Sequence, residues 1–176
     1  SAASDVYKRQ GEYSSPMELN MLAHLLQNQE INREAVSAYA MAMRDQDMIT
    51  EIEMGNLLLQ SEEIPYYHYY FNGMETADFS EAEKYGYTIA KNNGLRSQLQ
   101  QMGIDNYMDY EAYGRDTAIN ENAYLGRNGY LDTRSAEKMD LNRYSKGELY
   151  TEAGVELPDE IRQKEEEREI DIPLKL

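Results

Sequence analysis

The sequence predicts an α+β protein: a small helical bundle, then a small α+β domain with a short antiparallel sheet, then a charged C-terminal extension. Three observations carry that reading. Apolar residues recur at three- and four-residue spacing between residues 15 and 60, the period of one helix face. Two aromatic-rich stretches, IPYYHYYF and NAYLGRNGYLD, have the composition of strands, the second arranged around Gly126-Arg127-Asn128-Gly129 as a hairpin. Beyond Asp132 the periodicity weakens and charges of both signs interleave. The expected divisions are therefore 11–62 for the helical domain, 63–132 for the α+β domain and 133–176 for a loosely attached extension. Apolar residues make up 41% of the chain, too many and too regularly placed for a wholly disordered one. The first ten residues, SAASDVYKRQ, read as a translated sequencing adapter, so the natural start is expected upstream.

Each element has local grounds. Ser15 is a capping residue, Pro16 suits a first helical position, and Glu18 stands where a capping-box acid would. Leu19, Met21, Leu22, Leu25 and Leu26 then mark the apolar side of a first helix. INREAVSAYAMAM gives a second, with Val36, Tyr39, Ala40 and Met43 inward. DMITEIEMGNLLLQ gives a third, with Ile49, Ile52, Leu57 and Leu59 inward. Pro65 ends the pattern, and Asn72-Gly73 marks a turn after the first strand. In DFSEAEKYGYTIAKNNG, Ser80 caps a helix, Glu81 and Glu83 favour its positive end, and Gly94 closes it. LRSQLQQMG adds a further turn, and LPDEIRQKEEERE reads as a solvated helix started at Pro158.

The formal net charge is −16, and −17 without the first ten residues, which carry one acid and two bases. Residues 11–132 hold 20 acids and 7 bases, so the excess lies mainly in the part expected to fold. Such a chain repels nucleic acid and acidic membranes and favours basic partners. Basic residues never cluster, which argues against direct nucleic-acid binding, and no apolar run is long enough to span a membrane. The absence of cysteine excludes thiol chemistry and disulfides and fits a cytoplasmic protein. His24 and His68 lie 44 positions apart without ligand-spaced partners and read as structural, so neither metal nor cofactor is expected. No nucleotide-binding or hydrolase motif occurs. Glu51 with Glu53, or Glu62 with Glu63, offer paired carboxylates of the kind a hydrolase uses, a third functional reading.

One tract is unusual. NYMDYEAYGRD places Tyr107, Tyr110 and Tyr113 at three-residue spacing among Asp109, Glu111 and Asp116, and NENAYLGRNGYLD follows. This tract closely resembles the C-terminal region of the ArdA antirestriction proteins. MELNMLAHLL and EKYGYTIAKNNGL resemble other pieces of the family in its order, over roughly residues 15–132. The resemblance implies a non-enzymatic, acidic mimic of bent DNA, carried by conjugative elements. It implies a homodimer joined through the C-terminal domain that occupies the DNA-binding groove of type I restriction–modification enzymes. It also implies that a first domain is missing here, and that the tail after Asp132 extends past the usual end. On this basis the acids expected to face the partner are Asp45, Asp47, Glu51, Glu53, Glu62, Glu63, Glu75, Asp78, Glu81, Glu83, Asp105, Asp109, Glu111 and Asp116. Tyr107, Tyr110, Ala112, Tyr113, Gly114 and Arg115 are expected to pack the last domain or its dimer seam, Arg115 as a counter-charge to Asp109 or Glu111. The alternative is an adaptor of a mobile element that uses the same fold for another basic partner.

Overall fold

A computed structural model describes residues 15–43, 48–70 and 78–170. It is α+β as expected, with nine α-helices and one three-stranded antiparallel sheet among the described residues. The expected Asn72-Gly73 turn lies outside them. Two compact units emerge, and both are discontinuous in sequence.

The first unit comprises described residues 15–33, 48–62 and 140–170. Its helices are α1 (Pro16–Asn28), α3 (Glu51–Leu59), α8 (Lys146–Ala153) and α9 (Asp159–Ile170). Ser15 caps α1 by accepting from the Glu18 backbone N–H at 3.1 Å. Thr50 and Glu53 form a reciprocal capping box on α3. Helices α1, α3 and α8 pack on one another around Met21, Leu25, Leu57, Leu58, Leu149, Tyr150 and Ala153. Met21 and Leu25 carry the inward face of α1 as expected, whereas Leu19 and Leu26 are exposed, against expectation. In α3 the buried run is Gly55–Leu58, whereas Ile52 and Leu59 are only half-buried.

The C-terminal segment is also not loosely attached. Leu149 and Tyr150 are core residues, and polar side chains fasten the backbone around them. The fully buried Asn56 donates to the carbonyls of Ile52 and Tyr144 at 2.9 and 3.0 Å and accepts from the Tyr144 N–H at 2.7 Å. Gln60 donates to the Asp140 carbonyl at 2.9 Å, and Asn28 to that of Ala153 at 2.9 Å. Lys146 and Glu18 add an ion pair at 2.5 Å. An apolar face supplied from 88 to 125 positions away is invisible to a window-based reading of periodicity. Helix α9, by contrast, begins just after Pro158 as expected.

The second unit comprises described residues 34–43, 63–70 and 78–139. Its helices are α2 (Arg33–Ala42, of which Arg33 falls to the first unit), α4 (Glu81–Asn92), α5 (Leu95–Gln101), α6 (Tyr110–Glu121) and the short α7 (Thr133–Ala136). Strands β1 (Tyr66–His68), β2 (Ala123–Leu125) and β3 (Gly129–Asp132) form a sheet in the order β1-β3-β2. The register pairs Tyr67 and Leu125 with Tyr130, and Ala123 with Asp132. These residues therefore share one face, because side chains alternate along a strand. Tyr69, Tyr85 and Ala118 form a core cluster with Ile89, Ala123, Leu125 and Tyr130 packed around it. On α2 Tyr39, and Met43 beyond its end, are buried as expected; Ala35 and Ala38 are buried with them, while Val36 and Ala40 stay half-buried. Gly94 follows the α4 cap residue Asn93 in the left-handed region at φ 83°, a conformation that favours glycine.

Candidate acidic interaction surface

The centre of the second unit is the contact between α4 and α6. A side chain on Gly86 would collide with the Tyr110 carbonyl oxygen, and one on Gly114 with the Ala82 carbonyl oxygen. Gly86 therefore faces Tyr110 and Gly114, while Ala82 faces Gly114, so the two helices run in opposite senses with backbones almost touching. The glycine of the tyrosine-acid tract is thus a spacing requirement of the fold. Tyr110 meets Tyr87 edge-on at 5.4 Å, and the Tyr113 hydroxyl accepts from Asn93 at 3.0 Å. Ala112 donates its N–H to the α6 capping residue Asp109 at 3.0 Å. Tyr107 is 87% exposed and packs no core. Arg115 is exposed, and among the described residues no ion pair joins it to Asp109 or Glu111. Long flexible side chains on an exposed helix face gain little from pairing.

The close crossing sets the position of several acids. Glu83 is half-buried near the start of α4. Burial pushes its carboxyl above the usual range, and repulsion from Glu111 and Asp109 pushes it further. The crossing thus brings together three acids from two separate helix starts. Glu81 and Asp78 precede Glu83 on the exposed side, and Glu111 and Asp116 are exposed along α6. Asp105 is half-buried in the short turn before the tract. In the first unit Glu51 and Glu53 open α3, and Glu53 is committed to its capping box at 2.9 Å from the Thr50 hydroxyl. Glu62 is exposed in that unit, and Glu63 is exposed in the second. Asp45, Asp47 and Glu75 lie outside the described residues.

Three acids of the second unit were missed. Glu34 accepts from His68 at 2.8 Å and from Asn128 at 3.2 Å. Its carboxyl lies below the usual range, first because of the His68 hydrogen bond. No spacing rule links positions 34 and 68. Glu121 and Asp132 flank the β2–β3 hairpin, and only the hairpin pairing reveals that they adjoin the same tyrosines. Among the described residues no group of His, Asp and Glu is arranged to hold a metal, and no helix is long and apolar enough to cross a membrane.

No curated protein and no solved structure matches the chain significantly. One family does. The model for antirestriction protein (ArdA) matches residues 4–132, starting inside the segment expected to be an adapter and ending at Asp132, where the hairpin closes. The match spans well over half of the chain and includes the whole tyrosine-acid tract, so this chain belongs to the ArdA family of antirestriction proteins.

Proposed function

We propose that the protein inhibits type I restriction–modification enzymes by mimicking DNA, occupying their DNA-binding groove with its acidic surface. The observation that carries this is the gathering of Glu83, Asp109 and Glu111 by the α4–α6 crossing, at the expense of mutual repulsion. Like charges three or four positions apart on a helix lie roughly 5–6 Å from each other and cost stability. A chain with net charge −16 that also draws acids together from different helices is suited to a basic groove. The protein acts as a binding partner and not a catalyst, in the cytoplasm of cells that carry a mobile element.

We further place a homodimer contact at the turn between α5 and α6. Met102, Ile104 and Tyr107 are 68%, 38% and 87% exposed within six residues, a concentration of apolar surface that a second copy would cover.

A competition experiment tests the proposal. The chain is titrated into a type I enzyme bound to labelled duplex, at low and at moderate salt. Displacement near one dimer per DNA-binding groove is expected, and weaker displacement as salt rises. No displacement at low salt would overturn it. Capture of a different basic protein instead would favour the adaptor reading.

A further inference from the structure

In the second unit, a cleft of about 390 Å³ opens between helices α4 and α6 and the face of the sheet that carries Tyr130. Four tyrosines, Tyr67, Tyr85, Tyr113 and Tyr130, contribute to its walls, with Glu121 and Asp132 beside them. None of its lining residues is basic. The Tyr67 and Tyr130 rings lie 5.4 Å apart, and Tyr85 meets Tyr130 edge-on at 4.8 Å. The Tyr85 hydroxyl is pushed up to about 12, first by burial, then by Tyr130, Glu121, Tyr113 and Asp132. The buried Tyr85 phenol therefore keeps its proton near pH 7, and both carboxylates act on that same point.

The two acids differ. Asp132 spends its oxygens on Ser135, accepting from its N–H at 3.3 Å and its hydroxyl at 2.9 Å. Among the described residues Glu121 pairs with Arg134 alone, at 4.0 Å with both side chains more than half exposed, a weak pair. Neutral aromatic faces next to an underused carboxylate attract cations. A guanidinium suits the cleft better than an ammonium, because its plane stacks on aromatic rings while its edge pairs with a carboxylate.

We propose that this cleft receives an arginine side chain from the DNA-binding surface of the restriction–modification enzyme. It rests on the DNA-mimic reading and deepens it. Arginines that stack on bases and pair with phosphates in DNA find both features here, the tyrosine faces standing for bases and Glu121 for a phosphate. The protein then imitates the π surface of nucleic acid as well as its charge.

Methylguanidinium titrated into the full chain, followed by NMR of the tyrosine rings, tests this directly. Saturable shifts at Tyr67, Tyr113 and Tyr130 are expected, with methylammonium binding more weakly. Glu121→Gln and Tyr67→Leu should each weaken methylguanidinium binding about two- to fivefold. Both positions are exposed, so urea midpoints should stay at the wild-type value and report intact folding. In the competition experiment each variant should need a similar excess to displace DNA. Absence of saturable shifts, or shifts indifferent to both substitutions, would overturn the proposal. Variants that displace DNA as well as wild type would overturn the arginine contact while leaving the mimic reading intact. Methylguanidinium binding by a wild-type chain that fails to displace DNA would retain a cation site and overturn its assignment to this enzyme.

Discussion

Gly114→Ala should be among the most damaging single-methyl changes in the second unit. The added Cβ would overlap the Ala82 carbonyl oxygen and lie 2.7 Å from the Gly86 nitrogen. All its nearest neighbours are backbone atoms, so no side chain can rotate away. Reaching the 3.4 Å of ordinary contact from Gly86 alone requires the helices to part by roughly 0.7 Å, and the carbonyl demands more. Parting them loosens the contacts of Tyr85, Ala118 and the Tyr87–Tyr110 pair. Overpacking of this kind costs about 1–3 kcal/mol or more, and alanine's helix preference over glycine returns at most about 1 kcal/mol. A net loss of about 2 kcal/mol would lower the melting temperature of a unit this size by about 10 °C. Gly55→Ala in α3 is the control. There the new methyl meets only the side-chain tip of Leu149, at 2.9 Å, and the change should stay within about 1 kcal/mol. Thermal melts followed by circular dichroism decide it. A Gly114→Ala chain that melts with or above wild type would refute the close-crossing argument.

Three further outcomes follow from the same contacts. The raised Glu83 carboxyl means that the folded state holds its proton to higher pH than the unfolded one, so stability is lost as pH rises above the ordinary value of 4.5. Glu83→Gln should remove that loss and gain about 0.5 kcal/mol at pH 7 but nothing near pH 4, and urea melts at both pH values showing the same difference would contradict it. Asp109→Ala should cost about 1 kcal/mol by removing the α6 cap, and Asp109→Asn should restore most of it, as read from chemical denaturation. Leu149→Ala should cost about 2–5 kcal/mol in the first unit, because Leu149 is fully buried; a change under 1 kcal/mol would mean that α8 is not part of that core.

The parts of the fold that were legible in the sequence are those fixed by neighbours. Caps at Ser15 and Ser80, the stop at Gly94 and the 123–132 hairpin each depend on a few adjacent residues, and each forms as expected. What was not legible depends on partners far along the chain. The inward face of α1 follows from α3 and α8, and α8 comes from a segment with weak periodicity of its own. Asn56 looks like an ordinary polar residue in an apolar helix until the Tyr144 backbone completes its hydrogen bonds. The pairing of Glu34 with His68 and the meeting of Glu83 with Glu111 are likewise products of packing. A list of acids could be written from the sequence, but not which of them share a site.

That distinction bears on how the negative charge is to be understood. An acid at a helix start has a local reason to be there, since it caps free N–H groups and meets the positive end of the helix. Glu53 has that reason in full, and its presence says little about a partner; Asp109 has it too, but it also adds to the repulsion on Glu83. Glu111, Asp116, Asp78 and Glu62 are exposed, and none is committed to a cap in this way. They, with the strained Glu83, are the stronger places to look for phosphate mimicry. The magnitude points the same way. A dimer carrying about −34, twice the charge of residues 11–176, would match full DNA density of one charge per roughly 1.7 Å over only about 58 Å. Removing the acids used for capping shortens that length further. On the proposed mimic reading such an inhibitor would not copy every phosphate, and its affinity would come from a few carboxylates placed well and from contacts that are not ionic at all. The tyrosine cleft beside Glu121 is one place in the second unit where both occur together.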